Sequence, residues 1–232
     1  MTGEQFKFAF PQPILPLESL FADPQGEASL RILRQWQKWP KPFVGLTGAD
    51  RSGVTTVLKS WAKDVGGRYL QPSDWQDMDA QGLSDLLSQP LAIDDCDASV
   101  SSVSLLTLLN LARLGENAVL LGGHGQPQSW AVSPPDLVSR LSAMTTIVLP
   151  VLDDAMMIDR LRAACLRRFI KVPRETLAYL EPRLERSYQA IEAFAGELDR
   201  LMSETGRSAS IPLARTVLDT LSDNPEDEDQ SL

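Results

Sequence analysis

The chain is poor in the residues that most often build metal and redox sites. Its 232 residues include one histidine, His124, and two cysteines, Cys96 and Cys165. The cysteines lie far apart in apolar-rich stretches, which is typical of reduced core thiols in a cytoplasmic protein and not of a disulfide framework. No spacing of His, Cys, Asp and Glu suggests a metal site. His124 lies in a glycine-rich, loop-like run, where we expect a surface residue and not a catalyst.

Long apolar runs and basic stripes are also missing. No stretch approaches the apolar length of a transmembrane helix, and the N-terminus lacks the pattern of a secretory signal. The chain has 22 basic and 31 acidic residues, for a net charge of −9, and five of the acids fall within its last eleven residues. Without a basic stripe, direct contact with nucleic-acid phosphates is not expected. We therefore expect a cytoplasmic protein without direct membrane or nucleic-acid contacts.

The most informative stretch is the segment 48–55, which departs at one position from the phosphate-loop pattern G-x-x-x-x-G-K-[ST]. Gly48, Gly53 and Thr55 match the pattern, but Val54 stands where the lysine belongs. The glycines let backbone N–H groups surround phosphate oxygens, and the following helix N-terminus adds partial positive charge. The lysine normally neutralises charge on the β- and γ-phosphates. The sequence therefore predicts a phosphate loop that has lost its cation.

Strand and helix signals alternate around this loop and then change character. Strands are predicted at 42–47, 69–70, 90–95, 117–122 and 147–149, with helices at 27–39, 55–65, 83–87 and 103–114. This alternation predicts an α/β domain with a parallel sheet that is covered on both faces. Beyond residue 152 only helices are predicted, at 153–169, 174–180, 184–202 and 211–221. The predicted organisation is an extended N-terminal peptide (1–16), an α/β domain (17–152), a small all-α domain (153–221) and a disordered acidic tail (222–232).

Paired acids follow the third predicted strand at Asp94 and Asp95. One carboxylate of such a pair holds Mg²⁺ and the other polarises water, while a loop hydroxyl completes the metal site. We therefore predict that Thr55 and Asp94 hold a Mg²⁺ that accompanies ADP or ATP, if a nucleotide binds without the lysine. Arg51 is a candidate replacement cation within the loop. The predicted nucleotide-binding residues are Gly48, Arg51, Ser52, Gly53, Val54, Thr55, Thr56, Asp94, Asp95 and Arg186.

Two arginines are candidates for contacts with phosphate. Arg140 follows a proline-rich turn near the end of the α/β domain, where it could project into the site of a neighbouring ATPase. Alternatively, it caps a helix or pairs with Asp136 within the chain. Arg186 is predicted on the long helix of the C-terminal domain, from which it could reach back to bound phosphates. The alternative for Arg186 is a solvated position on a charged helix face.

Several further short motifs occur in the order found in one family. They lie at 5–10, 36–40, 108–112, 134–141, 185–187, 198–200 and 211–214. Together with the glycine loop and the acids, they span almost the whole chain and are specific as a set, although none is specific alone. By these motifs the chain resembles the AAA+ family of the replication initiator DnaA, and within it the short Hda-type regulators.

The resemblance implies an AAA+ P-loop NTPase-type domain followed by a small all-α lid. Hda-type regulators dock on the DNA polymerase III sliding clamp through an N-terminal peptide and promote hydrolysis of DnaA-bound ATP with an arginine finger. This negative regulation blocks re-initiation of replication. Gln5, Phe6, Phe8 and Phe10 match the clamp peptide, and Arg140 matches the finger. We expect no initiator-type DNA-binding domain, since the chain ends soon after the lid, and a head-to-tail homodimer is a further option.

Three departures from the family pattern surround the phosphate site. Val54 replaces the loop cation, Gly122 stands where a Thr or Asn would sense the γ-phosphate, and Gln189 falls at the position of the second sensor arginine. We therefore expect no intrinsic ATPase activity and a role as activator of a partner ATPase. Two alternatives stay open: an active AAA+ ATPase with an unusual phosphate loop, and a purely structural AAA+-like interaction protein.

Overall fold

The computed structural model describes residues 14–21, 26–50, 52–98, 100–115, 117–131, 133–150 and 154–222. Most of the predicted N-terminal peptide and nearly all of the acidic tail lie outside these ranges, so their predicted states stay predictions. No helix in the described ranges has the length and apolar character needed to cross a bilayer.

Five strands form one parallel sheet. They are β1 (Phe43–Gly48), β2 (Arg68–Leu70), β3 (Leu91–Ile93), β4 (Val119–His124) and β5 (Thr146–Val148). Their order across the sheet is β2-β3-β4-β1-β5, and every neighbouring pair is parallel. The central strands β1 and β4 are buried along almost their whole length, as strands covered on both faces must be. The carboxyl ends of β1, β3 and β4 therefore meet at one edge of the sheet.

Within the described ranges, six helices belong to the sheet domain and four to the C-terminal domain. The first six are α1 (Leu17–Leu20), α2 (Gly26–Arg34), α3 (Val54–Val65), α4 (Ala80–Leu86), α5 (Ser102–Ala112) and α6 (Pro135–Ser142). The last four are α7 (Asp154–Arg167), α8 (Arg174–Leu180), α9 (Tyr188–Thr205) and α10 (Ile211–Ser222). The predicted fold class, a parallel α/β domain followed by a small all-α domain, is confirmed.

Side chains of successive strand residues point to opposite faces of the sheet, and each face has its own apolar core. On one face Phe43 and Val119 pack with side chains of α4, α5 and α6. On the other face Val44 and Leu120 pack with α1, α2 and α3. Trp61 of α3 is fully buried there, and its Nε1 donates a hydrogen bond to the carbonyl oxygen of Leu33 at 3.0 Å. The helical domain has a third core, centred on α7, α9 and α10.

Three sequence predictions need correction. The long lid helix begins at Tyr188 and not at 184, because Ser187 has an extended backbone and its Oγ accepts a hydrogen bond from the Ala190 N–H as an N-cap. β4 continues to His124, so this histidine ends a strand and is not in a loop. Arg140 lies inside α6, which begins at Pro135 because proline is well tolerated in the first helical turn.

Candidate functional site

The glycine loop joins β1 to α3 at the carboxyl edge of the sheet. Gly48 ends β1, and Gly53 precedes α3 with a left-handed φ of 95°. A Cβ on Gly48 would lie 2.1 Å from Ser52 Oγ, and a Cβ on Gly53 would lie 2.6 Å from Cδ2 of Tyr188. Both positions thus require glycine, one for close packing within the loop and one for backbone conformation and an aromatic neighbour as well. The strand, loop and helix order of a phosphate loop is present.

The loop opens into a cavity with the chemistry of an anion site. The first N–H groups of α3 have no intrahelical acceptor, and the N-cap residue, Gly53, has no side chain to cap them. Ser52 is 4% exposed, and its Oγ has no hydrogen-bond partner among the described residues. The cavity has a volume of about 240 Å³. Its described lining consists of Ser52, Gly53, Val54, Thr55, Thr56, His124, Ser187 and Tyr188.

Val54 does not replace the charge of the missing lysine, and its side chain belongs to the core. It is 5% exposed and packs in the apolar cluster between the sheet and α3. A Cβ on Gly122 would lie 3.0 Å from Val54 Cγ1 and 2.4 Å from Leu58 Cδ1. The two departures at positions 54 and 122 are therefore one packing arrangement, in which α3 lies too close to β4 for any side chain at 122.

The paired acids lie at the end of β3 but have different environments. Asp94 is 2% exposed, and its Oδ2 accepts a hydrogen bond from the Tyr69 hydroxyl at 2.8 Å. Its Oδ1 accepts from the Asp95 N–H at 3.0 Å, so both carboxylate oxygens already have partners within the chain. Asp95 is partly exposed and has a left-handed φ of 52°. Burial, and then the neighbouring charge of Asp94, raises the pKa of Asp95.

His124 is a site residue that the sequence reasoning missed, as is Tyr188. Its Nδ1 lies 3.0 Å from Asp97 Oδ2, and its Nε2 lies 3.5 Å from Asp50 Oδ1. It lines the anion cavity beside the glycine loop. The pairing of His124 with Gly48 in the parallel sheet explains this position, since the ends of β1 and β4 are in register. The glycine-rich run around His124 hid the strand, because glycine usually signals a turn.

Arg140 lies apart from this cavity, on α6. Its Nη2 donates a hydrogen bond to Asp136 Oδ2 at 2.9 Å, and this hydrogen bond lowers the pKa of Asp136. The Arg140 side chain is only 18% exposed. Its Nε and Nη1 are covered and have no acceptor among the described residues. The structure therefore contains the intrachain pair that the sequence offered as the alternative for Arg140, but two of the three guanidinium nitrogens remain unused.

Only some of the remaining predicted site residues line the cavity. Thr55 and Thr56 line the cavity, whereas Arg186 is exposed and precedes the described lining residue Ser187. Gln189 is the second residue of α9. Arg51 and the peptide residues Gln5, Phe6, Phe8 and Phe10 lie outside the described residues.

The cleft keeps one half of a nucleotide site. Its glycines, the uncapped helix start and the unpartnered Ser52 hydroxyl fit a phosphate group. The cationic half is incomplete, because Val54, at the position of the loop lysine, is packed in the core and carries no charge. Among the described residues, no group of three or more His, Cys, Asp or Glu side chains could hold a metal ion. The predicted Mg²⁺ position at Thr55 and Asp94 stays a prediction.

The strand order, the glycine loop between β1 and α3, and the helical domain after β5 define the AAA+ fold. A search of solved structures agrees. Domain III of Thermotoga maritima DnaA matches with a TM-score of 0.72 and 15% identity, over 88% of this chain and 95% of that one. AMPPCP-bound DnaA from Aquifex aeolicus matches with a TM-score of 0.68 and 16% identity, over 91% and 70%. The Thermotoga maritima RuvB branch migration motor matches with a TM-score of 0.66 and 12% identity, over 94% and 76%.

Sequence comparison does not narrow the assignment further. It is 25% identical over 208 residues to a Haemophilus influenzae protein described as uncharacterized, across 83% of this chain and 90% of that one. No protein-family model matches. The chain spans 64% of the length of a further solved DNA replication initiation factor. At these identities the comparisons show the fold, a DnaA-like and RuvB-like AAA+ module.

Proposed function

We propose that this AAA+ module is an Hda-type negative regulator of replication initiation that activates hydrolysis in a DnaA-type partner. One observation carries the proposal: a phosphate loop with AAA+ geometry has an apolar, core-packed residue at the position of its essential cation. Such a module keeps the surfaces of an ATPase while its own site lacks the charge for efficient hydrolysis. The likeness to DnaA structures, two of which hold AMPPCP, supports a partner of the same class.

Arg140 is the residue through which we propose that the chain acts. Two of its guanidinium nitrogens have no acceptor within the described residues, so their hydrogen-bonding capacity is available to an outside group. Leaving covered donors unpaired costs about 1–3 kcal/mol, which rotation of the side chain toward a partner phosphate would recover. Its present partner, Asp136, is more than half exposed, and exposed i,i+4 ion pairs hold a side chain weakly.

Docking on the DNA polymerase III sliding clamp is the second part of the proposal. It rests on the N-terminal motif with Gln5, Phe6, Phe8 and Phe10, in which an extended chain would place the three rings on one side. Within the chain's own cleft, ADP or ATP with Mg²⁺ would bind weakly for lack of a loop cation. A lost charge-assisted contact of this kind is typically worth about 1.5–3 kcal/mol.

The assay that tests the proposal measures ATP hydrolysis by a purified DnaA-type initiator, with and without this protein and DNA-loaded clamp. We expect acceleration only when protein and clamp are both present, and loss of that acceleration in Arg140→Ala. Arg113→Ala is the matched control, because Arg113 is an exposed arginine at the end of the neighbouring helix α5. Equal stimulation by wild type and Arg140→Ala would rule out the finger.

The covered position of Arg140 favours one other candidate, a purely structural interaction protein. In that case the protein binds the clamp or the initiator but changes no hydrolysis rate. An active ATPase, the other alternative, would show turnover by the chain itself that Asp95→Asn abolishes. The same assay separates all three functions.

A further inference from the structure

Tyr188 lies directly on the glycine loop, in contact with three parts of the chain. Its ring packs so closely on Gly53 that any Cβ there would meet its Cδ2 at 2.6 Å. Its hydroxyl donates a hydrogen bond to the carbonyl oxygen of Leu20 at 3.3 Å. The guanidinium of Arg160 lies over the ring, with its Cζ 4.2 Å from the ring centroid. One side chain at the start of α9 thus joins the lid, the loop and the N-terminal helix.

The surroundings of this ring explain why it is held in place. The lid core and the core beneath α3 both include Tyr188 among their partly buried members. Arg160 Nη1 donates to the same Leu20 carbonyl oxygen, at 2.9 Å. A cation over an aromatic face contributes about 0.5–2 kcal/mol, more as the pair is desolvated. Tyr188 is therefore a fixed contact between the two domains.

Cavities of different chemistry meet at this ring. On one side is the anion cavity of the glycine loop. On the other is a cavity of about 200 Å³ between α1, α7 and α9, in which apolar side chains such as Leu15 and Ile191 lie beside charged ones, Asp159, Arg160, Arg167 and Glu192. Tyr188 belongs to the lining of both. Among the described lining residues the two cavities share only Tyr188, so a ligand that extended from the loop into the second cavity would have to pass this ring.

We propose that Tyr188 makes this cleft selective for small anions, such as inorganic phosphate or pyrophosphate, and excludes nucleosides attached to them. The uncapped N–H groups of α3 and the Ser52 hydroxyl supply donors for one or two phosphate groups. The ring stands between the loop and the second cavity, so it blocks a nucleoside that extends in that direction from bound phosphates. The proposal shares with the proposed function only the view that the glycine loop is a degenerate nucleotide site.

Exclusion by a ring is separable from the loss of the loop cation. The missing lysine weakens every phosphate ligand, with or without a nucleoside, because it removes a charge beside the phosphates. Steric exclusion by Tyr188 acts only on ligands that extend past Gly53. Comparison of pyrophosphate with ADP on the same protein therefore isolates the effect of the ring.

The test measures pyrophosphate binding by calorimetry and ADP binding by fluorescence of a mant-labelled analogue, with the full chain. We expect wild type to bind pyrophosphate more tightly than ADP. Tyr188→Ala should bind ADP at least about tenfold more tightly than wild type does, with pyrophosphate affinity changed by less than about twofold. Tyr188→Phe is the matched control, since it keeps the ring, loses only the hydroxyl and should behave like wild type. Tyr188→Leu serves if the alanine variant does not fold.

Two outcomes would overturn the proposal. One is wild-type protein that binds ADP more tightly than pyrophosphate, and the other is a folded Tyr188→Ala or Tyr188→Leu variant with unchanged ADP affinity. Hydrogen exchange at the start of α9 would show whether either variant loosens the lid generally. Arg140→Ala should keep the wild-type preference for pyrophosphate even if it abolishes activation of a partner, so failure of one proposal is distinguishable from failure of the other.

Discussion

At the scale of single residues, the glycine loop owes its unusual character to packing between α3 and β4. Val54 and Leu58 occupy the space that a side chain at position 122 would need. A phosphate-sensing Thr or Asn at 122 is therefore incompatible with an apolar residue at 54 turned into the core. Restoring a lysine at 54 alone would uncover core surface without providing a sensor. The departures must be considered together when the site is re-engineered.

Gly122→Ala tests this packing directly. The added Cβ would lie 2.4 Å from Leu58 Cδ1, so α3 or β4 must shift, and overpacking of this kind typically costs about 1–3 kcal/mol. Gly115→Ala is the control, because its Cβ would meet nothing closer than 3.8 Å. Urea denaturation should give a lower free energy of unfolding for Gly122→Ala only. Equal stability of the two variants would show that α3 and β4 are less closely packed than described.

Asp95 makes the stability of the fold depend on pH. Burial raises its pKa, so the ionised form is disfavoured in the folded state relative to the unfolded state. Below the ordinary carboxyl pKa of 3.8 both states carry the neutral acid and the penalty vanishes, whereas above the raised pKa it is fully present. Asp95→Asn should therefore raise the thermal midpoint slightly at pH 7 and not near pH 3. Asn also tolerates the left-handed φ at this position.

Asp50→Asn is the control for this pH series. The Asp50 side chain is 93% exposed. Its substitution should therefore not alter how much the thermal midpoint changes between pH 7 and pH 3. A thermal midpoint that Asp95→Asn lowers at pH 7 would contradict the assigned environment and would instead indicate that the ionised carboxylate stabilises the fold.

The two thiols should be inert in the native protein. Cys96 and Cys165 are fully buried, and burial raises the pKa of both, in Cys165 to about 11. The thiolate is the reactive form, so little of it is present at pH 8. We expect a chromogenic thiol reagent to label neither cysteine until denaturant is added, and then to label two per chain. Rapid labelling of the native protein would contradict their described burial.

At the scale of elements, the sequence predicted the sheet strands and most helices because their apolar patterns extend over whole elements. Residues 174–180 were predicted as a helix with the same bounds that α8 has. Two features, α6 and the end of β4, were not predicted from the sequence. α6 begins at the last of three consecutive residues, Ser133 to Pro135, that normally signal a turn, and the end of β4 is rich in glycine. In both, neighbouring strands and helices outweigh local propensity.

The candidate site likewise has a part that could be predicted from the sequence and a part that could not. The glycine loop and the acids were predictable, since spacing along the chain places them at one edge of a parallel sheet. The roles of Tyr188 and His124 were not, because each depends on a contact with the loop from a distant element. Tyr188 lies within the predicted helix 184–202, and it packs in both the lid core and the core beneath α3.

The N-cap of α9 is the element-scale feature that positions Tyr188. Ser187 is 4% exposed, and its Oγ accepts the Ala190 N–H at 3.1 Å. Ser187→Ala should lower the free energy of unfolding by about 1 kcal/mol and increase hydrogen exchange at the start of α9. Ser101→Ala removes the corresponding cap of α5 and should leave exchange in α9 unchanged. Protection of α9 that survives Ser187→Ala would mean that tertiary packing alone fixes this helix.

At the scale of the whole molecule, the chain combines an AAA+ body with a cleft that lacks its cation and an arginine on a separate helix. The cleft is formed by the glycine loop, α3, the end of β4 and the start of α9, whereas Arg140 belongs to α6. Loss of charge in the cleft therefore need not affect the arginine. In the proposed function, this separation lets the chain supply a guanidinium to another ATPase whatever the state of its own cleft.

The proposed activity depends on a rotation that the isolated chain does not display. Arg140 is mostly covered and is paired with Asp136, so it must leave this position to reach a partner's phosphates. Association head to tail would supply the phosphate oxygens that its unused nitrogens lack. In the proposed complex, Arg140 would therefore become exposed when the two proteins associate.

The most direct measurement is single-turnover hydrolysis of labelled ATP preloaded on the initiator alone, followed after addition of this protein with loaded clamp. An arginine supplied in trans is worth roughly 10³–10⁵ in rate, so wild type should accelerate the reaction strongly. Arg140→Lys, which keeps the charge but loses the planar fork, should retain little of this effect, and Arg140→Ala none. Full acceleration by Arg140→Ala would contradict the account, because the phosphates would then receive their stabilisation from another group.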